Sequence, residues 1–162
     1  MMLGGVLGGL AAAGAASLGL PDLSPRRADA AAARIAFGLC HSGGGTDCVV
    51  DGDTFRMGGV RIRLADIDAP ETHPPRCPEE ARLGAAATRR LQALLNQGPV
   101  TLERAGRDTD RYGRKLRIVT RGGVSLGDRL VDEGLARRWE GRRLPWCRAR
   151  LSRAAAGRPE RA

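Results

Sequence analysis

The sequence predicts a small five-stranded β-barrel with helices packed on it, a fold of the β or α+β class. Its hydrophobic and turn residues indicate three strands, a helix, two strands and a further helix, in that order. The chain has 162 residues, which is room for one domain, and 42% of them are hydrophobic. Only 3% are aromatic, so the core must consist mainly of Leu, Val, Ile and Ala.

The first three strands are expected between residues 48 and 67. Residues 48–50 form a short strand-like run, and residues 54–57 are predicted to pair with residues 60–67 through Gly58 and Gly59. Two glycines between strand runs are a hairpin signal, because a two-residue turn needs left-handed backbone angles at its centre.

Residues 78–97 are predicted to form the main helix. Pro78 suits the first helical position, and Glu79 and Glu80 complement the positive end of the helix dipole. Gly98, which is followed by a proline, ends the pattern. The apolar stripe of this helix consists of Leu83, Ala87, Leu91, Leu94 and Leu95.

Two strands and a short helix are predicted after the main helix. Residues 100–103 and 115–120 are the predicted strands, and Ser125 with Asp128 resembles a capping box that begins the second helix. Residues 135–139 are a candidate last strand. This order of elements is compatible with an OB-like barrel.

The two ends of the chain differ in composition from its centre. Residues 1–20, uncharged and rich in Gly, Ala and Leu, are predicted to be a signal peptide or an N-terminal membrane anchor. Residues 21–45, with two prolines, an alanine run and a run of three glycines at residues 43–45, are predicted to be a linker. The folded domain is expected over residues 46–147, and residues 148–162 are predicted to be a basic, flexible tail.

Four cysteines predict two disulfides in an oxidising compartment, because no C-x2-C pair suggests a zinc site. Three pairings are possible. We favour Cys40–Cys48 and Cys77–Cys147, since the first pair closes a short glycine loop ahead of the first strand. Four reduced, buried thiols are the alternative.

The cysteines predict an exported protein, periplasmic or secreted, or one anchored to the membrane by residues 3–20. The charges on either side of residues 3–20 argue against export. No Lys or Arg precedes this apolar run, whereas Arg26 and Arg27 follow it, and the positive-inside rule would place the following domain in the cytoplasm. We give the cysteines more weight.

The net charge of +9 and the sequence pI of about 11.0 favour polyanionic partners, either nucleic acid or an anionic membrane surface. An alternative explanation is compositional. Of the 27 basic residues only Lys115 is a lysine, and such an arginine bias can reflect the composition of the genome.

Four acids and two arginine-bearing segments indicate the chemistry. Carboxylates held close together repel each other unless a cation lies between them, and calcium takes carboxylate and carbonyl oxygens. Arginines bind anions. The combination suggests phosphodiester chemistry. The residues concerned are Asp51, Asp53, Arg63, Asp68, Glu71, Arg111 and Arg114.

Residues 50–54, 63–71 and 110–114 resemble the three signatures of the thermonuclease family, the staphylococcal-nuclease-like calcium-dependent nucleases. The resemblance covers about residues 48–139, a little over half of the chain. It is specific because all three motifs occur in order, with the predicted helix between the second and the third. It implies a five-stranded OB-fold barrel.

The resemblance also implies a calcium site. Asp53 and Asp68 would bind calcium through their carboxylates, and Ala69 through its main-chain carbonyl. The family commonly has threonine at the position of Ala69, but a backbone oxygen does not depend on the side chain. Asp51 would lie just behind these ligands and tune the site. A polar turn between strands is the alternative explanation of the Asp51 and Asp53 pair.

The same resemblance implies roles for the remaining motif residues. Glu71 would be the general base or would position the attacking water. Arg63 and Arg114 would hold the scissile phosphate, although Arg63 could instead pair with an acid of the barrel. Arg111 and Tyr112 would hold a neighbouring phosphate, with turn packing as the alternative for Tyr112.

Two departures from the family concern substrate affinity rather than the chemistry. Family members often stack a base on tyrosines after the last strand, where this chain has Trp139, either a stacking platform or a core residue. The long C-terminal helix of the family is not evident. A Cys77–Cys147 bridge would then replace that helix as a brace.

The sequence therefore predicts a calcium-dependent nuclease that hydrolyses DNA and RNA by in-line attack of water, and the family resemblance implies that it leaves 3′-phosphates. Single strands would be preferred, with little sequence preference and no obligate protein partner. One alternative is a non-catalytic OB-fold nucleic-acid-binding protein. Another is a membrane-anchored envelope protein whose basic surface contacts anionic lipid.

Overall fold

The computed structural model describes residues 35–147 except Gly44. The predicted signal peptide or membrane anchor over residues 1–20, the first part of the predicted linker and the basic tail over residues 148–162 lie outside this range. Within the range, neither helix combines the length and apolar character needed to cross a membrane.

Nine strands and two helices make up the described part of the chain. In chain order they are β1 (Gly38–Leu39), β2 (Cys48–Asp51), β3 (Thr54–Met57), β4 (Val60–Leu64), β5 (Ile67–Asp68), α1 (Pro78–Leu95), β6 (Thr101–Thr109), β7 (Lys115–Arg121), β8 (Val124–Ser125), α2 (Leu126–Asp132) and β9 (Arg137–Arg138).

The main sheet is mixed and has the strand order β1-β2-β3-β4-β7-β6, with β8 paired to β7. The strands β2, β3, β4, β7 and β6 are the five strands that the sequence predicts, and the OB-type fold of the α+β class is confirmed. The predicted barrel is not closed, because no ladder among residues 35–147 joins β6 to β1 or β2.

The predicted strand over residues 60–67 is divided into β4 and β5 at Ala65 and Asp66. Tertiary contacts cause the break. The Asp66 carbonyl accepts a hydrogen bond from the Trp139 N–H at 2.9 Å, and its carboxylate accepts one from the Ser125 hydroxyl at 2.6 Å. The chain therefore turns out of the main sheet, and β5 pairs with β9.

Helix α1 begins at Pro78, as predicted, and ends at Leu95 rather than at residue 97. Its predicted stripe packs into the core, where Ala87, Leu91, Leu94 and Leu95 are buried together with the inner faces of the sheet. Leu83 is only half-buried.

The C-terminal part of the predicted linker is folded where it is described. Phe37 is buried in the core, and its N–H and carbonyl are both hydrogen-bonded by the Asn96 side chain at the end of α1. The next residues form β1, which adds to β2 in parallel. The folded unit thus begins before residue 46, because Asn96 and the β2 edge provide partners for this backbone.

Both predicted disulfides, Cys40–Cys48 and Cys77–Cys147, are present. The first joins the short 3-10 turn after β1 to the start of β2. The second joins the residue that precedes α1 to the end of the described chain, and no helix forms over residues 141–147.

Candidate active site

Strand register brings the three sequence motifs to one end of the sheet. Antiparallel pairing of β3 with β4 places Thr54 opposite Arg63. Parallel pairing of β4 with β7 places Arg63 beside Leu116, two residues after Arg114. The motif over residues 50–54, the arginine of the second motif and the end of the third are therefore neighbours.

The turn between β2 and β3 lies against α1 because Gly52 has no side chain. A Cβ built at this position would be 2.6 Å from the Ala87 Cβ and 2.8 Å from the Ala69 Cβ. Since real Cβ atoms do not approach so closely, only glycine fits here. This close approach sets the position of Asp53, the next residue.

Asp53 is 1% exposed and is the most fully partnered acid of the site. Its Oδ1 accepts hydrogen bonds from Arg63 Nη1 at 2.6 Å and from the Thr54 hydroxyl at 2.8 Å. Its Oδ2 accepts one from the Ala69 N–H at 3.3 Å. Arg63 thus makes the ion pair with a barrel acid that the sequence left open, and the Ala69 N–H, rather than its carbonyl, contacts the Asp53 carboxylate.

Asp68 is the second acid and is 3% exposed. Its Oδ2 accepts a hydrogen bond from Trp146 Nε1 at 3.2 Å. Its Oδ1 lies 4.0 Å from Arg63 Nη2 and accepts no well-formed hydrogen bond from the described residues. Burial raises the pKa of Asp68, while the guanidinium groups of Arg143 and Arg63 act in the opposite direction.

Asp51 lies behind Asp53, where the sequence predicted it. Its Oδ1 accepts a hydrogen bond from the Asp53 N–H at 3.1 Å. Burial, followed by repulsion from the Asp53 carboxylate, raises the pKa of Asp51 to about 7. Asp51 therefore contacts the backbone of Asp53, the proposed calcium ligand. Residues that do not bind a metal themselves commonly orient its ligands through such hydrogen bonds.

Glu71 lines the open cavity of the site and forms an ion pair with the guanidinium of Arg143. Its position depends on α1. The buried Glu80 accepts hydrogen bonds from the N–H groups of Glu71 at 3.5 Å and Arg76 at 2.7 Å. Gly84 allows close contact as well, because a Cβ there would be 3.0 Å from the Glu71 carbonyl oxygen.

Arg114 is held by the acid that begins its own motif. Its Nε donates a hydrogen bond to Asp110 Oδ2 at 2.7 Å, and its Nη1 donates one to the Thr54 hydroxyl at 3.2 Å. Burial alone would raise the pKa of Asp110, but hydrogen bonds from Arg114 and from the Tyr112 N–H outweigh it and lower that pKa.

An open cavity of about 1150 Å³ joins these groups. Arg63, Arg114 and Glu71 line it together with Arg111 and Tyr112, which were predicted to contact substrate. Asp53, Asp68, Asp51 and Ala69 lie deeper, behind Arg63.

Two aromatic rings stand at the rim of this cavity. Tyr112 is 59% exposed, and its hydroxyl accepts a hydrogen bond from Arg111 Nη2 at 2.6 Å. Trp139, which the sequence left as either platform or core, is 40% exposed and lies 5.8 Å from the Arg63 guanidinium carbon. Neither ring belongs to the core, so both are open to a ligand.

The donor atoms fit a hard divalent cation. Carboxylate oxygens of Asp53, Asp68 and Glu71 all face the guanidinium of Arg143. The buried Asp68 Oδ1 has no well-formed hydrogen bond among the described residues. Calcium binds such carboxylate and carbonyl oxygens without needing a fixed geometry. The donor types are therefore those that calcium takes, and in this structure the guanidinium of Arg143 faces all three carboxylates.

Sequence reasoning missed Arg143, Trp146 and Glu80 as residues of the site. Arg143 and Trp146 reach the acids from the segment before Cys147, and the predicted bridge to Cys77 was the one available signal that this segment returns to the site. Glu80 was interpreted only as a charge at the helix N-terminus, although it is fully buried.

The structure is thus an OB-fold domain that carries arginines and Glu71 in one cavity, with the buried carboxylate of Asp53 paired to a lining arginine, Arg63. The family model described as Staphylococcal nuclease homologue matches residues 61–152, more than half of the chain. The protein belongs to this family, and the resemblance indicated by the three motifs is confirmed.

Curated relatives agree with this assignment. The chain is 40% identical over 96 residues to the SPbeta prophage-derived endonuclease YokF of Bacillus subtilis, which covers 56% of this chain and 32% of the relative. It is 38% identical over 93 residues to a thermonuclease of Staphylococcus intermedius, which covers 55% of each protein. The chain therefore spans about half or less of the length of these relatives.

Proposed function

We propose that this protein is a calcium-dependent nuclease that hydrolyses phosphodiester bonds of DNA and RNA by in-line attack of water and leaves 3′-phosphates. One observation carries the proposal. Arg114 contacts the Thr54 hydroxyl, which contacts Asp53, which in turn binds Arg63. Two guanidinium groups, the Thr54 hydroxyl and the Asp53 carboxylate thus form one connected network at the wall of the cavity. The names of the relatives, an endonuclease and a thermonuclease, support nuclease activity in general.

The proposed calcium ligands are the carboxylates of Asp53 and Asp68 and the carbonyl of Ala69. When bound, calcium would supply positive charge for a non-bridging phosphate oxygen and would orient water. Asp51 keeps Asp53 in place through the Asp53 N–H. The Gly52 contact with α1 and the Ala69 N–H fix this carboxylate from two further sides.

Arg63 and Arg114 would bind the scissile phosphate. Negative charge accumulates on its equatorial oxygens in the transition state, and planar guanidinium groups donate paired hydrogen bonds to such oxygens. Arg63 is anchored by Asp53, and Arg114 by Asp110. Both side chains are therefore oriented before substrate arrives, which lowers the reorganisation required for reaction.

Glu71 would accept a proton from the attacking water. Water oxygen forms a bond to phosphorus on the side opposite the departing 5′ oxygen, and cleavage of that P–O bond leaves the phosphate on the 3′ side. The released 5′ oxygen takes up a proton from solvent and becomes a hydroxyl. The Glu80 carboxylate, which binds the Glu71 N–H, holds this part of the chain in place. A carboxylate in this position needs only hydrogen-bond reach to the water.

The cavity suits a single strand. Arg111 with Tyr112 forms one side of the rim and Trp139 another, so a neighbouring phosphate and a base could be bound by charge and by stacking. Arginine and aromatic side chains of this kind bind phosphates and stack on any base, so they do not distinguish one base from another. A net charge of +9 attracts both DNA and RNA. We therefore propose little sequence preference and activity on both DNA and RNA.

A non-catalytic nucleic-acid-binding protein is the second candidate, and one contact favours it. The proposed base, Glu71, is paired with Arg143 in this structure, and a nearby guanidinium makes a carboxylate a weaker base. A binding protein would use the same arginines and rim aromatics without needing Glu71 to be free.

We further propose that the protein is exported. The two disulfides are the support, because such bonds persist in oxidising compartments and are rare in the cytosol. Attachment to the membrane through residues 3–20 remains part of this proposal.

The test is cleavage of an end-labelled single-stranded DNA and of the RNA of the same sequence by the full chain. We expect both to be cleaved in calcium, neither in excess chelator, and the fragments to carry 3′-phosphates. Binding of the oligonucleotides in both conditions without cleavage would establish the second candidate instead. Asp132→Asn, an exposed acid on α2, is the control for charge and should behave as the parent chain does.

A further inference from the structure

We propose that Arg143 is a built-in counter-cation of the acid centre, which competes with the divalent cation and keeps Glu71 paired until that cation binds. The inference rests on the proposed function, because it concerns the same three carboxylates. It assigns a role to a residue outside all three sequence motifs.

The contacts of Arg143 are with the proposed calcium and base residues. Its Nε lies 3.3 Å from Asp68 Oδ1, its Nη2 lies 3.9 Å from Asp53 Oδ2, and its Nη1 pairs with Glu71 Oε1. Among the described residues, it is the one cation whose ion pairs include Glu71. The guanidinium of Arg143 therefore lies next to three carboxylates. Two of them, Asp53 and Asp68, are proposed calcium ligands, and the third, Glu71, is the proposed base.

The segment that carries Arg143, residues 141–147, is fixed at its far end. Trp146 donates a hydrogen bond to Asp68 Oδ2, and its ring lies under the Arg137 guanidinium, 3.5 Å from the guanidinium carbon. Cys147 is bonded to Cys77 ahead of α1. The main chain of this segment is thus held close to the acids, whereas the Arg143 side chain is 32% exposed and has a path into solvent.

Charge explains why Arg143 and a divalent cation should exclude each other. The carboxylates of Asp53, Asp68 and Glu71 meet at this point. Arg63 pairs with Asp53, and Arg137 lies 4.0 Å from Asp68 Oδ2. Arg143 is the cation paired with Glu71, and its donors face oxygens that calcium would need. Two cations cannot share those oxygens, so the coupling between Arg143 pairing and calcium binding is negative, and it is reciprocal.

The consequence is a higher calcium requirement. When only a fraction of the protein is in the state that can bind a ligand, the apparent Kd equals the intrinsic Kd divided by that fraction. If the paired form of Arg143 dominates, removal of the guanidinium will tighten calcium binding about tenfold or more. Withdrawal of Arg143 also frees Glu71, so one movement prepares both the cation site and the base.

The test is calorimetric titration of calcium into the metal-free full chain, without substrate, for the parent and for Arg143→Gln and Arg142→Gln. Arg142 is the adjacent exposed arginine, so its replacement removes the same formal charge. We expect Arg143→Gln to bind calcium at least about tenfold more tightly than the parent. Arg142→Gln should stay within about twofold, because exposed charges are screened.

Thermal unfolding gives a second measurement that does not depend on activity. In chelator, Arg143→Gln should melt below the parent, since Glu71 loses its paired cation and Asp68 loses the nearest one. Saturating calcium should raise the melting temperature of Arg143→Gln by more than that of the parent, as mass action requires of a tighter site. Arg143→Lys, which keeps the charge, should lie nearer to the parent in both measurements.

Equal or weaker calcium binding by Arg143→Gln would overturn the inference. If the parent also cleaves DNA only in calcium, this inference alone fails and the proposed function stands. If neither protein binds calcium at all, the inference and the proposed calcium dependence fail together. Equal tightening in Arg142→Gln would show a general charge effect and would likewise overturn the specific role of Arg143.

Discussion

Arg114 Nη1 lies 3.2 Å from the Thr54 hydroxyl and donates a hydrogen bond to it across 60 residues of sequence. The same hydroxyl donates to Asp53 Oδ1 at 2.8 Å. The loop after β6 and the turn after β2 are thereby joined at the wall of one cavity. Because Arg114 lines this cavity, we expect its replacement to affect the reaction more than the stability of the fold.

Replacement of Arg114 by Gln should reduce kcat by about 10²–10³, the loss typical of one donor to developing negative charge. KM should change much less. The matched control is Arg104→Gln, because Arg104 lies on β6 with an exposed side chain. Steady-state kinetics on a single-stranded oligonucleotide measures both. An unchanged kcat in Arg114→Gln would remove this residue from the reaction.

Replacement of Glu71 by Gln should lower kcat by about 10²–10⁴ at saturating calcium, the usual contribution of a general base. Binding of the oligonucleotide should remain within a few-fold of the parent value, since the amide preserves the shape of the side chain. Glu79→Gln, on the exposed side of α1, is the control. Full activity of Glu71→Gln would assign the base elsewhere.

Gly84→Ala should destabilise the protein, although alanine is normally favoured over glycine inside a helix by about 1 kcal/mol. The new Cβ would be 2.9 Å from the Pro70 carbonyl oxygen and 3.0 Å from that of Glu71, and a backbone cannot yield cheaply. Urea unfolding should show a loss of about 1–3 kcal/mol, as in other overpacked sites. Ala86→Gly measures the propensity effect alone. A more stable Gly84→Ala would contradict the close approach of α1 to the Glu71 loop.

The two disulfides should stabilise the fold unequally, because the loops that they close differ in length. The Cys77–Cys147 bond spans 70 residues and the Cys40–Cys48 bond spans 8. The chain-entropy relation gives about 4 kcal/mol for the long loop and about 2.5 kcal/mol for the short one. Double serine variants of each pair, unfolded in urea, measure the difference. A larger loss for the short loop would contradict this account.

Asp108 should make the stability of the β6–β7 hairpin depend on acid pH. Hydrogen bonds from Lys115 and then from Arg117 lower the pKa of Asp108 to about 2. A lowered pKa in the folded state means that the stabilisation is present above the ordinary pKa of 3.8 and is lost as the pH falls towards about 2. The difference in urea midpoint between the parent and Asp108→Asn should therefore shrink over that range. A difference that stays constant with pH would contradict the assignment.

Much of the fold could be predicted, because its signals are local. Gly58 and Gly59, both at positive φ, form the expected turn between β3 and β4, and Ser125 accepts the expected hydrogen bond from the Asp128 N–H. The division of β4 from β5 could not be predicted, because it results from contacts of Asp66 with residues 59 and more positions away.

The candidate site shows the same limit. Asp53, Arg63, Glu71 and Arg114 were predicted from motifs, and the structure places them around one cavity or directly behind it. The predicted Cys77–Cys147 bond placed the end of the C-terminal segment, but the contacts of Arg143 and Trp146 with the acids were not predictable. Trp146 reaches Asp68 across 78 residues, and neither the composition nor the periodicity of residues 141–147 indicates where that segment packs.

The calcium dependence of single-turnover cleavage tests the central claim most directly. The parent chain, Asp68→Asn and Asp132→Asn are each incubated with an end-labelled single-stranded DNA over a series of calcium concentrations and in chelator. We expect the cleavage rate of the parent and of Asp132→Asn to rise with calcium concentration and to saturate. Asp68→Asn should show little or no cleavage. Cleavage by the parent at the same rate in chelator, or by Asp68→Asn at the parent rate, would contradict this claim.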